Sequence, residues 1–161
     1  VIPLTVDLAG ATQEVAIEGE MLIGVCEEIC IPVTLEFSAL LPIKGRADGV
    51  INAALADRPT PQAAANVGEV TCNIDPIADG MRMTTQIEVA QTGTSEHVVV
   101  ETRDPRVWVS EAKSSRDGGT LSATVDMVHP SGEPFAIDRS GIRITVLGSE
   151  MAVDIRGCSA G

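Results

Sequence analysis

Cysteines are the residues of this chain best placed to do chemistry. They stand at positions 26, 30, 72 and 158 and form two different kinds of pair. Cys26 and Cys30 lie in Val25-Cys26-Glu27-Glu28-Ile29-Cys30-Ile31-Pro32. On one extended strand, residues four apart are about 13 Å apart, well beyond the roughly 4.4–6.8 Å between the Cα atoms of a disulfide. The two sulfurs can meet only if the chain reverses between them. Glu27-Glu28-Ile29 then becomes the connection of a β-hairpin whose strands are Met21–Val25 and Ile31–Ala39, with the cysteines as cross-strand neighbours. Pro32 withdraws a backbone donor just past Cys30, which keeps that edge free.

A disulfide closing so short a ring gains little loop entropy and makes a poor staple. Strained, exposed bridges belong to the labile or catalytic class. Such a pair does thiol–disulfide exchange, in which one thiolate attacks a partner's disulfide and the second resolves the mixed disulfide at close range. Glu27 and Glu28 should raise both thiol pKa values, because neighbouring negative charge disfavours a thiolate. That direction suits an electron donor. Three other uses of the pair stay open: a structural hairpin bridge, a soft Cu(I) site with Met21 nearby, and two buried unpaired thiols. Cys72 and Cys158 bracket the second half of the chain, one in its first expected strand and one after its last. They are expected to form a structural disulfide contributing about 4–5 kcal/mol in the chain-entropy model, which implies an oxidising compartment.

The elements that must hold these residues follow a period of two. Apolar residues alternate with small or polar ones at Ile2–Leu8, Val15–Ile17, Ile31–Ala39, Met81–Val89, Leu121–Met127, Ile142–Val146 and Met151–Ile155. One-faced alternation indicates half-buried antiparallel strands. Turn chemistry separates them at Ala9-Gly10-Ala11, Asp79-Gly80, Asp117-Gly118-Gly119 and Pro130-Ser131-Gly132. Ala47–Ala56 breaks the rule, placing Val50, Ile51, Ala54 and Leu55 at helical spacing ahead of Arg58-Pro59-Thr60-Pro61. The expected organisation is all-β and immunoglobulin-like. Residues 1–45 form a partial β lobe of four strands, 46–68 a short helix with a Pro/Ala-rich connector, and 69–161 a β-sandwich. The first lobe is too short to be stable alone. It must pack on the second lobe, pair with another chain, or be the tail of a domain whose beginning is absent.

Composition narrows the function further. Of 161 residues, 11 are Lys or Arg and 23 are Asp or Glu, a net charge of −12. Half of that excess sits in residues 1–45, where Asp7, Glu14, Glu18, Glu20, Glu27, Glu28 and Glu36 face Lys44 alone. Binding to nucleic acid by phosphate neutralisation is excluded, and docking on anionic lipid is disfavoured. No apolar run approaches the ~18 residues that cross a bilayer, and no leader precedes the first strand, so a mature or excised soluble piece is expected. His97 and His129 lack metal-ligand spacing. No Ser/His/Asp signature, phosphate-binding loop or H-E-x-x-H is present. Met81 and Met83 read as core, the lone Trp108 as a core residue of the sandwich with partner binding as its alternative, and Asp75 and Asp79 as turn residues.

From Ile2-Pro3-Leu4 through Met21-Leu22-Ile23, and above all over Gly24–Pro32, the chain resembles the amino-terminal periplasmic domain of the DsbD family of thiol:disulfide interchange proteins. Its nearer likeness is to the ScsB-like, suppressor-of-copper-sensitivity branch. There, two β-strands carry a cysteine pair whose second member is followed by an apolar residue and Pro, and the connector residues Ala53, Ala54, Leu55 and Pro59 also fit. The resemblance covers about residues 1–60 and departs in two ways. The DsbD domain has a longer insert between its cysteines, and it has strands ahead of the point where this chain begins. It implies a periplasmic protein-disulfide reductase module with no prosthetic group and no metal. It also implies partners on either side, a membrane-embedded electron-donor domain and periplasmic thioredoxin-like proteins. By position, Cys30 would form mixed disulfides with partners and Cys26 would resolve them. Against this stand a non-catalytic immunoglobulin-like binding or assembly domain with two structural disulfides, and a Cu(I)-binding copper-tolerance module.

Overall fold

The computed structural model describes the backbone of residues 1–26 and 30–161, and the side chains of 1–25 and 31–161. The chain divides into two compact units, Val1–Asp57 and Arg58–Gly161.

The second unit is an immunoglobulin-like β-sandwich. One sheet holds, in spatial order, β3 (Thr60–Pro61), β11 (Ala152–Arg156), β10 (Arg143–Gly148) and β6 (Glu96–Glu101). The other holds β12 (Ser159–Ala160), β4 (Val70–Ile77), β5 (Gly80–Glu88), β9 (Thr120–Val128) and β7 (Trp108–Val109), with β8 (Lys113–Asp117) also paired to β9. Pairing is antiparallel except where the short strands β3 and β12 join β11 and β4 in parallel. The alternation read from the sequence is the core itself. Leu121, Ala123, Val125 and Met127 of β9 and Met83 and Ile87 of β5 are buried, as are Ile144 and Val146 of β10 and Val153 and Ile155 of β11. Burying such side chains contributes about 1.5–3 kcal/mol each, which makes this unit a self-sufficient core.

Two links fasten the layers. Arg116 of β8 donates from Nη2 to Oε1 of Glu96 at 2.7 Å, and from Nη1 to the Val89 carbonyl at 2.9 Å. The Thr92 backbone N–H and hydroxyl donate to the same Glu96 oxygen, each at 2.9 Å. The second link is covalent. Cys72 of β4 is bonded to Cys158, with their Cα atoms 5.8 Å apart and a sequence separation of 86 residues. Cys158 lies where the chain leaves β11 in one sheet to enter β12 in the other. Gly157 allows that crossing with a φ of +73°, and its N–H donates to the Ile142 carbonyl at 2.8 Å.

Two expectations need correction. Trp108 is 61% exposed rather than in the core. It sits on the two-residue edge strand β7 between Val107 and Val109, and these two pack against the core, so the alternation of the strand turns the indole outward. Ile2–Leu8 forms no strand, and Ile2, Leu4 and Val6 are exposed. Alternation makes a strand only where a partner edge accepts its hydrogen bonds. Here Pro3 removes one donor, and a turn at Ala9-Gly10, closed from the Ala11 N–H to the Leu8 carbonyl at 2.9 Å, ends the segment. The first unit has a single helix among its described residues, α1 (Gly49–Ala56). Asp48 caps it, accepting from the N–H groups of Val50 and Ile51.

Glu96 gives the sandwich an acid limit. Hydrogen bonds from Arg116 hold its carboxyl at about 2, below the ordinary 4.5 and against the cost of burial. The unfolded chain therefore takes up this proton first as pH falls. Stability should be full above about pH 4.5 and decline by ~3 kcal/mol toward pH 2, and urea unfolding of Glu96→Gln should show a flattened decline across that window. Replacing both Cys72 and Cys158 by Ala should lower the unfolding free energy of the unit by about 4–5 kcal/mol, measured in the same titration.

Candidate functional site

The cysteine pair belongs to the first unit, and one element positions it. β1 (Val15–Cys26) and β2 (Cys30–Leu41) form an antiparallel ribbon in which Val15 faces Leu41 and each successive pair follows without a slip up to Cys26 opposite Cys30. Cys26 and Cys30 are therefore backbone register partners, and Gly24 faces Pro32 two rungs below them. The expected connection Glu27-Glu28-Ile29 lies outside the described residues, as do the side chains of the two cysteines.

The ribbon is longer than the alternation indicated. Val15–Ile17 and Met21–Val25 read as separate strands because Gly19-Glu20 interrupts the apolar pattern, yet β1 runs through both. The structure thus has two long strands where four short ones were expected in residues 1–45. The register supplies the reason. Gly19 faces Phe37, whose ring lies over the space a side chain at position 19 would fill. The aromatic ring provides the packing that the glycine lacks.

The two faces differ in chemistry. One carries Val15, Ile17, Met21, Ile23 and Val25 on β1 with Ile31, Val33, Leu35, Phe37, Ala39 and Leu41 on β2, and it has no charged residue. Every described carboxylate of the ribbon is on the other face: Glu18 faces Ser38, and Glu20 faces Glu36 directly. Like charges so opposed weaken a strand pair, and Lys44 is the first basic residue in the sequence. No described residue of the first unit is buried, so the apolar face is half-covered at best.

The remaining candidates fall elsewhere. Cys72 is fully buried, and its bond to Cys158 lies in the sandwich. His97 is in β6 opposite Leu147, and His129 packs its ring on Phe135 with centroids 5.7 Å apart. Among the described residues, no group of three His, Cys, Asp or Glu side chains could hold a metal ion. Met83 is in the core and Met81 against it, Asp75 lies in β4 opposite Arg82, and Asp79 occupies the β4–β5 turn. Among the described residues no helix is long and apolar enough to cross a membrane. Sequence reasoning missed a cleft of about 260 Å³ in the second unit. Val107, Phe135 and Ile137 line it, beside the Arg103–Asp138 ion pair at 3.1 Å. Its hydroxyl, that of Thr102, donates to the Asp104 backbone carbonyl at 2.9 Å.

Gly19→Val should drive a side chain into the Phe37 ring and cost the ribbon about 1–3 kcal/mol. Hydrogen exchange should then quicken at the β1 and β2 amides while the amides of β5 and β9 keep their protection.

No family model and no curated protein matches the chain. Among solved structures, it is similar to the N-terminal periplasmic domain of ScsB from Proteus mirabilis, with a TM-score of 0.63 and 18% sequence identity. The match covers 91% of this chain and 58% of that one, so the chain spans little more than half the length of that domain. The chain therefore shares its fold with that ScsB domain.

Proposed function

We propose that the chain is a periplasmic thiol–disulfide exchange module working through a reversible Cys26–Cys30 disulfide. In this reading the partial lobe 1–45 carries the chemistry, 46–68 connects, and 69–161 is the supporting sandwich. One observation carries it: Cys26 and Cys30 are the last register pair of an unbroken two-stranded ribbon. Directly opposed residues have Cβ atoms about 4.5–5.5 Å apart, from which a modest local adjustment reaches disulfide geometry. Two further observations support it, namely the fold shared with the ScsB domain and the Cys72–Cys158 bridge, a bond that persists in oxidising compartments.

The exchange balances in two steps. The Cys30 thiolate attacks one sulfur of a partner's disulfide; that bond breaks, a mixed disulfide forms, and the partner's other sulfur leaves as a thiolate and takes a proton from water. The Cys26 thiolate then attacks the Cys30 sulfur, closing the Cys26–Cys30 disulfide and releasing the partner's second thiolate, which is protonated in turn. The partner gains two electrons and two protons, and the module is oxidised by the same amount. A dithiol on a membrane-embedded donor domain restores it by the reverse exchange, and thioredoxin-like proteins are the acceptors. No prosthetic group enters either step.

Cys30→Ser should abolish mixed-disulfide formation with an oxidised thioredoxin, whereas Cys26→Ser should trap that species, visible as a reducible band on a non-reducing gel. In a glutathione redox buffer the pair should titrate above about −300 mV, the region where structural bridges begin. A midpoint well below that value, or electron transfer surviving Cys30→Ser, would refute the assignment.

A further inference from the structure

The geometry points to a self-association surface on the sandwich, where Trp108 of one chain enters the cleft lined by Val107, Phe135 and Ile137 on a second copy, and the second copy returns the contact. This surface lies in the second unit and is independent of the thiol chemistry proposed above.

Trp108 supplies the knob. Among the described residues of the second unit it is the most exposed large apolar side chain, at 61% against 44% or less for Val99, Leu147 and Met151. It stands on β7, the edge strand of its sheet, which pairs with β9. A Trp side chain buries about 150–250 Å² when it finds a partner surface, and here most of the indole faces water. The cleft supplies the hole. Pockets for drug-sized ligands begin at about 300 Å³, so a cleft of about 260 Å³ suits one large side chain. Val107, Phe135 and Ile137 in its walls rest against the core, which holds them in place.

Position and charge select a second copy as the occupant. Trp108 lines a recess of about 490 Å³ that shares Thr102, Asp104 and Val107 with the cleft. Knob and hole are therefore neighbours on one surface, and a single two-fold axis can satisfy both at once, as an isologous interface requires. The chain carries a net charge of −12, which opposes contact between copies. Around the two recesses, however, the charges balance. Arg103 pairs with Asp138 at 3.1 Å, Arg106 with Asp104 at 2.7 Å, and Arg143 with Glu101 at 3.4 Å. Arg106 holds the Asp104 carboxyl at about 2, and hydrogen bonds from Ser140, with Arg103 behind them, hold that of Asp138 below its ordinary value. Two such rims face each other without net repulsion, and each arginine can meet a carboxylate of the other copy. The patch is small for a protein interface, so the association is weak and depends on concentration.

The sequence holds one tryptophan, so its fluorescence reports this contact directly. The test uses the full chain at concentrations from about 1 μM to about 1 mM. The weight-average mass in equilibrium ultracentrifugation should rise toward that of a dimer, and Trp108 emission should move to shorter wavelength over the same range. Ala136 lines the cleft, and it and Trp108 are both exposed, so substitutions there leave the core intact. Trp108→Ser and Ala136→Glu should each weaken association by about tenfold or more, and emission from Ala136→Glu should stay at long wavelength. Leu147→Glu adds the same charge on the other sheet and should associate like the parent. A parent chain that stays monomeric, or whose emission does not change with concentration, overturns the proposal. Association that survives Trp108→Ser at parent strength, the result expected if the exposed apolar residues of the first unit drive it, overturns it equally, as does equal weakening in Leu147→Glu.

Discussion

Strand register is the constraint on which the rest of this molecule depends. Side chains alternate across a ribbon with a period of two, so a slip of one residue exchanges its faces completely. In the first unit one register satisfies several demands together. It gathers the uncharged apolar residues on one face, sets the Phe37 ring over Gly19, and makes Cys26 the partner of Cys30. It does so although Glu20 is brought opposite Glu36. The apolar pattern and the glycine–aromatic pair outweigh that repulsion, which high-dielectric solvent keeps small.

The two units carry their stability differently. The sandwich has an apolar core fed from both sheets, with a disulfide and a hydrogen-bonded ion pair fastening its layers. The first unit has no buried side chain among its described residues and is held by the cross-strand ladder and a capped helix. A two-stranded ribbon on its own is marginal in water. Cys26 and Cys30 thus stand at the end of a ribbon without a buried core among its described residues, whereas Cys72 and Cys158 are bonded in the sandwich.

Much of this architecture could be read from alternation. Leu121–Met127, Ile142–Val146 and the pair Val153 and Ile155 line the core as the period of two demands. The helical spacing of Val50, Ile51, Ala54 and Leu55 marks α1. That the chain must reverse between Cys26 and Cys30 if their sulfurs are to meet followed from distance, and the register makes the two residues partners. What stayed hidden depended on partners distant in the chain. Ile2–Leu8 has the right pattern but no edge to join, and Gly19-Glu20 looks like a break until Phe37 is placed across from it. Trp108 is turned outward because its two neighbours take the inward positions. The strands β3 and β12, two residues each, are defined by their parallel neighbours rather than by any periodicity. The exposure of Val25 and Ile31 was equally invisible, since both look like core residues in composition.

The route by which the chain leaves the sandwich has a mechanical meaning. A pull on the last residues would meet β12, two residues laid parallel on β4, and then the sulfur bond from Cys158 to Cys72. Tension would pass through that covalent link into β4, a strand already laddered to β5 along its whole length. It would bypass the hydrogen bonds of β11, so the sheet would be loaded in shear rather than unzipped.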